Sequence, residues 1–289
     1  MLCSSATWNA SATTFANQTT MGTNPFTIFI NRNNTIYASI RDSNSVQVWI
    51  NGSSIPTTIS VRAYSKPMGL FVSDDDTIYV DNDNTNVASW QLNQSGSSSI
   101  LYTMGRCSGL FIDKNNSFYC SSVSLHQVMR RSLNSNDTQI AIVAGENCYG
   151  FSGNKLYYPM GIFVDNDYHL YVADQQNHRI QLFRPGQINA TTIAGTGALG
   201  TILLNLPSDV KLDANNNIYI VDQFSNRIVK SYPNGFRCII GCQGYNGYAS
   251  YSLNLPQSMA FDSYGNIFVI DQANNRIQKF FLATNSCGM

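Results

Sequence analysis

The sequence predicts an all-β fold of six similar four-stranded sheets, and three observations carry that prediction. A sixteen-residue segment recurs six times along the 289-residue chain. Each copy is made of short apolar runs separated by turn residues. The composition is also poor in helix formers: sixteen of the seventeen acids are Asp, Glu146 is the only Glu, and Asn alone supplies 33 residues. Asn, Asp, Ser and Gly favour turns, whereas Glu and Lys favour helices.

The six copies are NPFTIFINRNNTIYAS from Asn24, KPMGLFVSDDDTIYVD from Lys66, RCSGLFIDKNNSFYCS from Arg106, YPMGIFVDNDYHLYVA from Tyr158, LPSDVKLDANNNIYIV from Leu206 and LPQSMAFDSYGNIFVI from Leu255. The aromatic near the end of each copy falls at Tyr37, Tyr79, Tyr119, Tyr171, Tyr219 and Phe268, in steps of 42, 40, 52, 48 and 49 residues. Self-similarity at such a period is the signature of a repeat architecture.

Within a unit the elements follow in order. A first apolar run (GIFVD, 161–165) ends in a polar tight turn, and a second (LYVAD, 170–174) follows. After a short polar loop comes RIQLF (179–183), and TTIAG (191–195) completes the unit. Runs of this length, rich in Val, Ile, Tyr and Phe, favour strand. The first two runs are apolar on both faces, so both faces of each sheet must be covered. Six sheets, each covered by its neighbours, make a six-bladed β-propeller with four antiparallel strands per blade.

Proline placement agrees. Pro25, Pro67, Pro159, Pro207 and Pro256 precede the first strand of a repeat, with Cys107 in that place in the third; Pro56, Pro185 and Pro233 lie between third and fourth strands. At such places a missing N–H costs little. After Phe280 the chain supplies no fourth strand for the last unit. Residues 11–17 (SATTFAN) resemble NATTIAG at 189–195, so the N-terminal strand is expected to complete the last blade and remove an exposed edge. Residues 1–289 then form one domain, with repeats starting near 24, 66, 106, 158, 206 and 255.

Function classes narrow from composition. Lys and Arg total 17 against 17 Asp and Glu, and only 12% of residues are charged, which argues against a nucleic-acid binder driven by net positive charge. No apolar run approaches the ~18 residues of a membrane-spanning helix. Seven cysteines stand at 3, 107, 120, 148, 238, 242 and 287, without the spacing of a zinc site. If residues 11–17 close the ring, Cys3 and Cys287 lie near one end of the last blade and are expected to bridge. Cys238 and Cys242 flank Gly241 at a strand end and are expected to form a local bridge. Cys107 and Cys148 fall in loops on one face, at a separation long for a disulfide, and Cys120, inside a strand, reads as a buried free thiol. Eight N-x-S/T sequons begin at Asn9, Asn17, Asn33, Asn51, Asn93, Asn115, Asn136 and Asn189, close to what the composition alone would give. The opening MLCSSATWNA has neither a basic nor an apolar leader region, so the expectation is a fragment or mature form of an extracellular glycoprotein.

Units four to six carry VADQQNHRIQLF (172–183), IVDQFSNRIVKS (220–231) and VIDQANNRIQKF (269–280). With the upstream P-x-G-h-x-h-D pattern these resemble NHL repeats, the eponymous dipeptide being Asn177-His178. In units one to three Ile40, Asn82 and Ser122 replace the Asp, and Ser45, Val87 and Gln127 replace the Arg. The resemblance implies a six-bladed propeller, in agreement with the repeat count. It also implies a choice of functions: binding modules, metal-dependent amidating lyases with zinc held by histidines, lactonase-like enzymes with a metal held by Glu, Asn and Asp, or RNA-binding domains with a basic face.

The residues favour a non-catalytic binding module that holds no cofactor. Asp174 and Arg179, Asp222 and Arg227, and Asp271 and Arg276 are each five apart. They read as staples that fix the turn between second and third strands, because a residue present in several equivalent repeats marks no unique site. His126 and His178 fall between second and third strands and His169 between first and second, at the opposite end, so they do not converge on one ion. Glu146 follows a fourth strand, away from any inner strand. Asp74-Asp75-Asp76 and Asp165-Asn166-Asp167 occupy a hairpin turn and lack calcium-loop spacing. Arg130-Arg131, the only basic dipeptide, reads as a solvated strand end. The expected contact surface is the loop 146–158, with Tyr149, Phe151, Tyr157 and Tyr158, and a second loop, 242–252, with Tyr245, Tyr248 and Tyr251, since aromatics are enriched at binding hot spots. The partner is expected to be a protein or small ligand, and the propeller a monomer.

Overall fold

The computed structural model describes residues 2–3, 5–61, 66–83, 86–91, 99–103, 105–134, 139–146 and 148–285. Six four-stranded antiparallel sheets account for nearly all of its regular structure. Blade one is Pro25–Ile30, Ile36–Ile40, Ser45–Trp49 and Thr57–Ser60; blade two is Leu70–Val72, Thr77–Asp83, Asn86–Gln91 and Ser99–Tyr102. Blade three is Cys107–Ile112, Ser117–Ser122, Gln127–Ser132 and Ala141–Ala144; blade four is Pro159–Val164, Leu170–Asp174, Arg179–Phe183 and Thr191–Gly195. Blade five is Pro207–Leu212, Ile218–Asp222, Arg227–Tyr232 and Gly235–Ile240. Blade six has Pro256–Phe261, Ile267–Asp271 and Arg276–Phe280, and its fourth strand is the N-terminal Thr13–Ala16. That strand pairs Thr13 with Lys279 and Ala16 with Ile277, so the expected closure is present. A short ribbon of Thr7–Trp8 with Leu282–Thr284 was not legible in the sequence.

The chain packs as two compact units, Met1–Lys66 with Lys211–Met289, and Pro67–Val210. In the first unit, alternate residues of one strand serve two different cores. Ile267 and Val269 pack with Tyr219, Val221, Ile228 and Met259, while Phe268 and Ile270 pack with Ile28, Ala38, Ile40 and Trp49. This is the strand period of two put to work on a sheet with no solvent face. The second unit repeats the plan: Val128, Leu156, Ile162, Val172 and Phe183 form one cluster, and Val87, Leu110, Phe118 and Met129 another.

The glycine of the repeat has a steric cause. A Cβ on Gly109 would stand 2.6 Å from the Met160 carbonyl oxygen, and one on Gly161 would stand 2.7 Å from the Asp209 Cα. The inner strands of successive blades approach too closely there for a side chain. The N-terminal segment is latched in the first unit by Lys230. Its ammonium donates to the Cys3 carbonyl (3.2 Å) and lies 5.3 Å from the Trp8 ring and 5.0 Å from the Tyr232 ring. Burial lowers the pKa of this lysine, and the aromatic faces offset part of that desolvation.

Two disulfides lie within the described residues. Cys238 is bonded to Cys242. Cys107 is bonded to Cys120, which corrects one expectation: Cys120 is not a free thiol; Cys148 is exposed and free. Cys107 opens the first strand of blade three and Cys120 lies in the second, with Cα atoms 5.2 Å apart, well inside bridging range. Reading Cys107 as a loop residue concealed this. The expected Cys3–Cys287 bridge falls outside the described residues, which end at 285.

Candidate functional site

Three repeated devices absorb most of the polar residues that sequence alone could assign to chemistry. The first is the hairpin turn between first and second strands. Asp113, Asp165, Asp213 and Asp262 each use Oδ1 to accept the backbone N–H groups two and four residues on, at 2.8–3.0 Å. Asn31 does the same in blade one. The residue three beyond takes a positive φ in all six blades: Asn34, Asp76, Asn116, Tyr168, Asn216 and Gly265. Asn and Asp tolerate that conformation and bond their own backbone, which is why they fill these turns. His169 sits in this device. Its Nδ1 lies 2.9 Å from Asp165 Oδ2, where Asn217 and Asn266 donate to Asp213 and Asp262 in later blades.

The second device rivets one blade to the next. Asn44, His126, His178, Asn226 and Asn275 all have positive φ between second and third strands. Each accepts the backbone N–H of a residue just before a following first strand. Lys66, Tyr158, Leu206 and Leu255 donate to Asn44, His126, His178 and Asn226, and Asn24 donates to Asn275, at 2.8–3.1 Å. Accepting through Nδ1 places the proton of His126 and His178 on Nε2. The three histidines thus occupy repeat positions, and His169 and His178 lie at opposite ends of the strand Leu170–Asp174. Among the described residues no three His, Cys, Asp or Glu side chains are grouped to hold a metal ion.

The third device is the Asp–Arg pair. Asp174 and Arg179 face each other across the sheet register and meet at 2.7 Å; Asp222 with Arg227 and Asp271 with Arg276 meet at 2.8 and 2.5 Å. Burial pushes the Asp174 and Asp271 pKa values up, against the hydrogen bonds and arginines that hold them ionised. The pair also holds the preceding loop. Arg179 donates to the carbonyls of Phe151, Ser152 and Lys155, and Asp174 accepts from the Tyr157 N–H at 2.7 Å. Arg276 repeats this on Tyr248, Ala249 and Ser252, and Asp271 on Asn254.

These pinned loops present the aromatic surface. In the second unit Tyr149 stacks on Tyr157 at 4.8 Å, and the His126 ring meets both edge-on at 5.4 Å. Phe151 lies under the Arg179 guanidinium. Tyr149 is 60% exposed and Phe151 51%, and Tyr157 and Tyr158 also reach solvent. In the first unit Tyr245 is 76% exposed, and Tyr248, also outward, bonds the Asn274 carbonyl and lies beside Arg276. The loops are therefore fixed through their backbones, and most of the aromatic area stays in water.

Asp81 was missed by the sequence reading. It is fully buried and receives Arg106 Nε at 2.9 Å and the N–H groups of Met68 and Cys107. Blade two has lost the in-blade pair and is tied to blade three by this ion pair instead. Burial pushes the Asp81 pKa up to about 7, against the pull of Arg106. The signal was present, since Asp81 and Arg106 are the residues beside the repeat's Asp and proline positions.

No family model matches the chain. No curated protein matches it either. Solved structures do. A Bacteroides thetaiotaomicron protein of unknown function aligns over 97% of this chain and 74% of its own, at 16% identity and a TM-score of 0.75. A virginiamycin B lyase from Staphylococcus aureus aligns over 93% and 98%, at 14% identity and 0.66. A gluconolactonase from Xanthomonas campestris aligns over 93% and 89%, at 12% identity and 0.69. At such identities the likeness carries the fold and not the activity: the chain is a six-bladed β-propeller.

Proposed function

We propose that this propeller is of the NHL-repeat type and acts outside the cell as a non-catalytic binding module. The observation that carries the reading is the exposed Tyr149–Tyr157 stack, flanked by the half-buried His126 ring, on a loop whose backbone is held by Arg179 and Asp174. Rigid aromatic area already in its final place lowers the ordering cost of binding. Two disulfides and six exposed sequon asparagines (Asn9, Asn17, Asn33, Asn51, Asn115 and Asn189) support the compartment. Panning a displayed peptide library on the immobilised chain tests the function. Enriched clones should lose binding to Tyr149→Ala and Tyr157→Ala, and clones indifferent to both substitutions would sink the reading.

A second reading, a metal-dependent propeller enzyme, takes its support from the lyase and the gluconolactonase among the similar structures. Elemental analysis separates the two, because one tightly held metal ion per purified chain belongs to the enzyme. An RNA-binding NHL domain would retard RNA in gels in a salt-sensitive way.

A further inference from the structure

We propose that a groove between blades three and four takes an extended peptide segment, basic at its first residue and acidic at its last, as a fifth strand on blade three. The groove measures about 400 Å³ and lies wholly within the second unit. That is the size of a site for a small ligand or a few residues. Ile142 and Phe183 give it apolar lining, and Arg130, Arg184, Tyr168 and Glu146 line it as well.

The charges argue for a ligand. Arg130, Arg184 and Glu146 are exposed. Arg130 bonds the Tyr119 hydroxyl, and Arg184 donates to Thr191 Oγ1 at 3.0 Å. Among the described residues none of the three makes an ion pair. The three repeat arginines, by contrast, are all matched to aspartates.

The charges also have direction. Arg130 stands opposite Ala141 in the sheet register, and Arg184 follows the end of the third strand of blade four. Glu146 lies two residues past Ala144, at the other end of the edge strand Ala141–Ala144. Five residue steps of about 3.3 Å, from Ala141 to Glu146, separate the two charged ends by roughly 17 Å. This strand is the last of its sheet, so one row of its backbone N–H and C=O groups has no sheet partner. Such an edge pairs with an added strand. Every pairing in blade three is antiparallel, so an added strand runs from the glutamate end to the arginine end. Its first residue then meets Glu146 and its last meets Arg130 and Arg184.

The test is fluorescence anisotropy with the labelled, end-blocked hexapeptide Lys-Thr-Val-Thr-Val-Glu. Saturable binding is expected, with Arg130→Ala and Arg184→Ala each weakening it about tenfold, the scale of a lost charge-assisted hydrogen bond. The reversed sequence Glu-Val-Thr-Val-Thr-Lys should bind more weakly by a similar factor. Glu146→Lys should transfer preference to the peptide with Glu in the first position. Absence of saturation up to millimolar peptide, or equal binding by the wild type and the double arginine variant, overturns the proposal. The groove shares Glu146 with the aromatic loop, but Tyr149 and Tyr157 do not line it, so Tyr149→Ala should leave this binding intact, and the two readings can fail independently.

Discussion

Replacing Arg179 by Met tests whether the repeat pair holds a loop or merely decorates a surface. Arg179 is 2% exposed and Asp174 0%. Their separation is 2.7 Å, and the same guanidinium reaches three loop carbonyls at 2.7–3.1 Å. Methionine keeps the stem and removes the charge. Asp174 is then a buried carboxylate held only by the Tyr157 N–H and the Asn177 amide. Breaking a buried pair from one side costs about 3–5 kcal/mol. The three carbonyls lie on an exposed loop and regain water, so they add little. A loss of about 4 kcal/mol lowers Tm by roughly 8–16 °C in a chain of this size.

Three comparisons make the number discriminating. The double variant Asp174→Asn/Arg179→Met removes both charges and should recover more than half of the loss. Arg227→Met should lose less than half as much, because Arg227 is 24% exposed in its side chain and water can replace it. Limited proteolysis of Arg179→Met should cut between residues 146 and 158 first. Calorimetry and urea unfolding measure the stability. If Arg179→Met costs under about 1 kcal/mol, or no more than Arg227→Met, the pair is an ordinary solvated ion pair and the loop is held by something else.

Further predictions rest on other residues. Asp81, pushed up to about 7 from 3.8, binds a proton more tightly in the folded chain than in the unfolded one. Its contribution is therefore greatest below the unfolded value and is lost as pH rises through 7. Thermal scans should show stability falling across that window, and Asp81→Asn should flatten the slope by more than half. His126→Asn and His178→Asn keep the rivet's acceptor and should lie within about 0.5 kcal/mol of wild type, while the alanine variants cost roughly 1–2 kcal/mol. Burial lowers the His126 pKa, so the His126 rivet is intact at neutral pH and weakens as pH falls below the ordinary imidazole value; His126→Asn should remove that acid sensitivity. In native, unreduced protein Cys148 should react with a thiol reagent, whereas Cys107, Cys120, Cys238 and Cys242 should react only after reduction, as read by peptide mapping.

The fold was legible because it is written six times. Apolar runs fixed the strands, and SATTFAN matched the fourth-strand pattern closely enough to place the closure. What was illegible belongs to pairings that occur once. Cys107–Cys120 joins strands one and two of a single blade, and no repeat announces it. Asp81 and Arg106 stand one residue beside positions of the repeat, where the pattern draws attention to Asn82 and Cys107 instead. The histidines were placed correctly between strands, but their shared role with Asn44, Asn226 and Asn275 needs the positive φ that makes the five residues equivalent. Arg130 read as a solvated strand end because sequence carries no record of the neighbouring blade that turns its surroundings into a groove.

The uneven survival of the Asp–Arg pair follows from what precedes each blade. Blades four, five and six keep it, and each follows a long connection: 145–158, 196–206 and 241–255. Blades one and three lack it and follow short ones, 22–24 after the helical turn Gln18–Met21 and 103–106. A short connection is fixed by its ends, whereas closing and ordering a long one costs entropy that something must offset. Arg179 and Arg276 offset it by bonding three loop carbonyls each, which the turn between second and third strands does not require for its own geometry: blade one makes the same Ile40–Ser45 register without either charge. The pair is therefore a loop anchor before it is a blade staple. In this chain the best-kept repeats are therefore the ones that follow the longest connections.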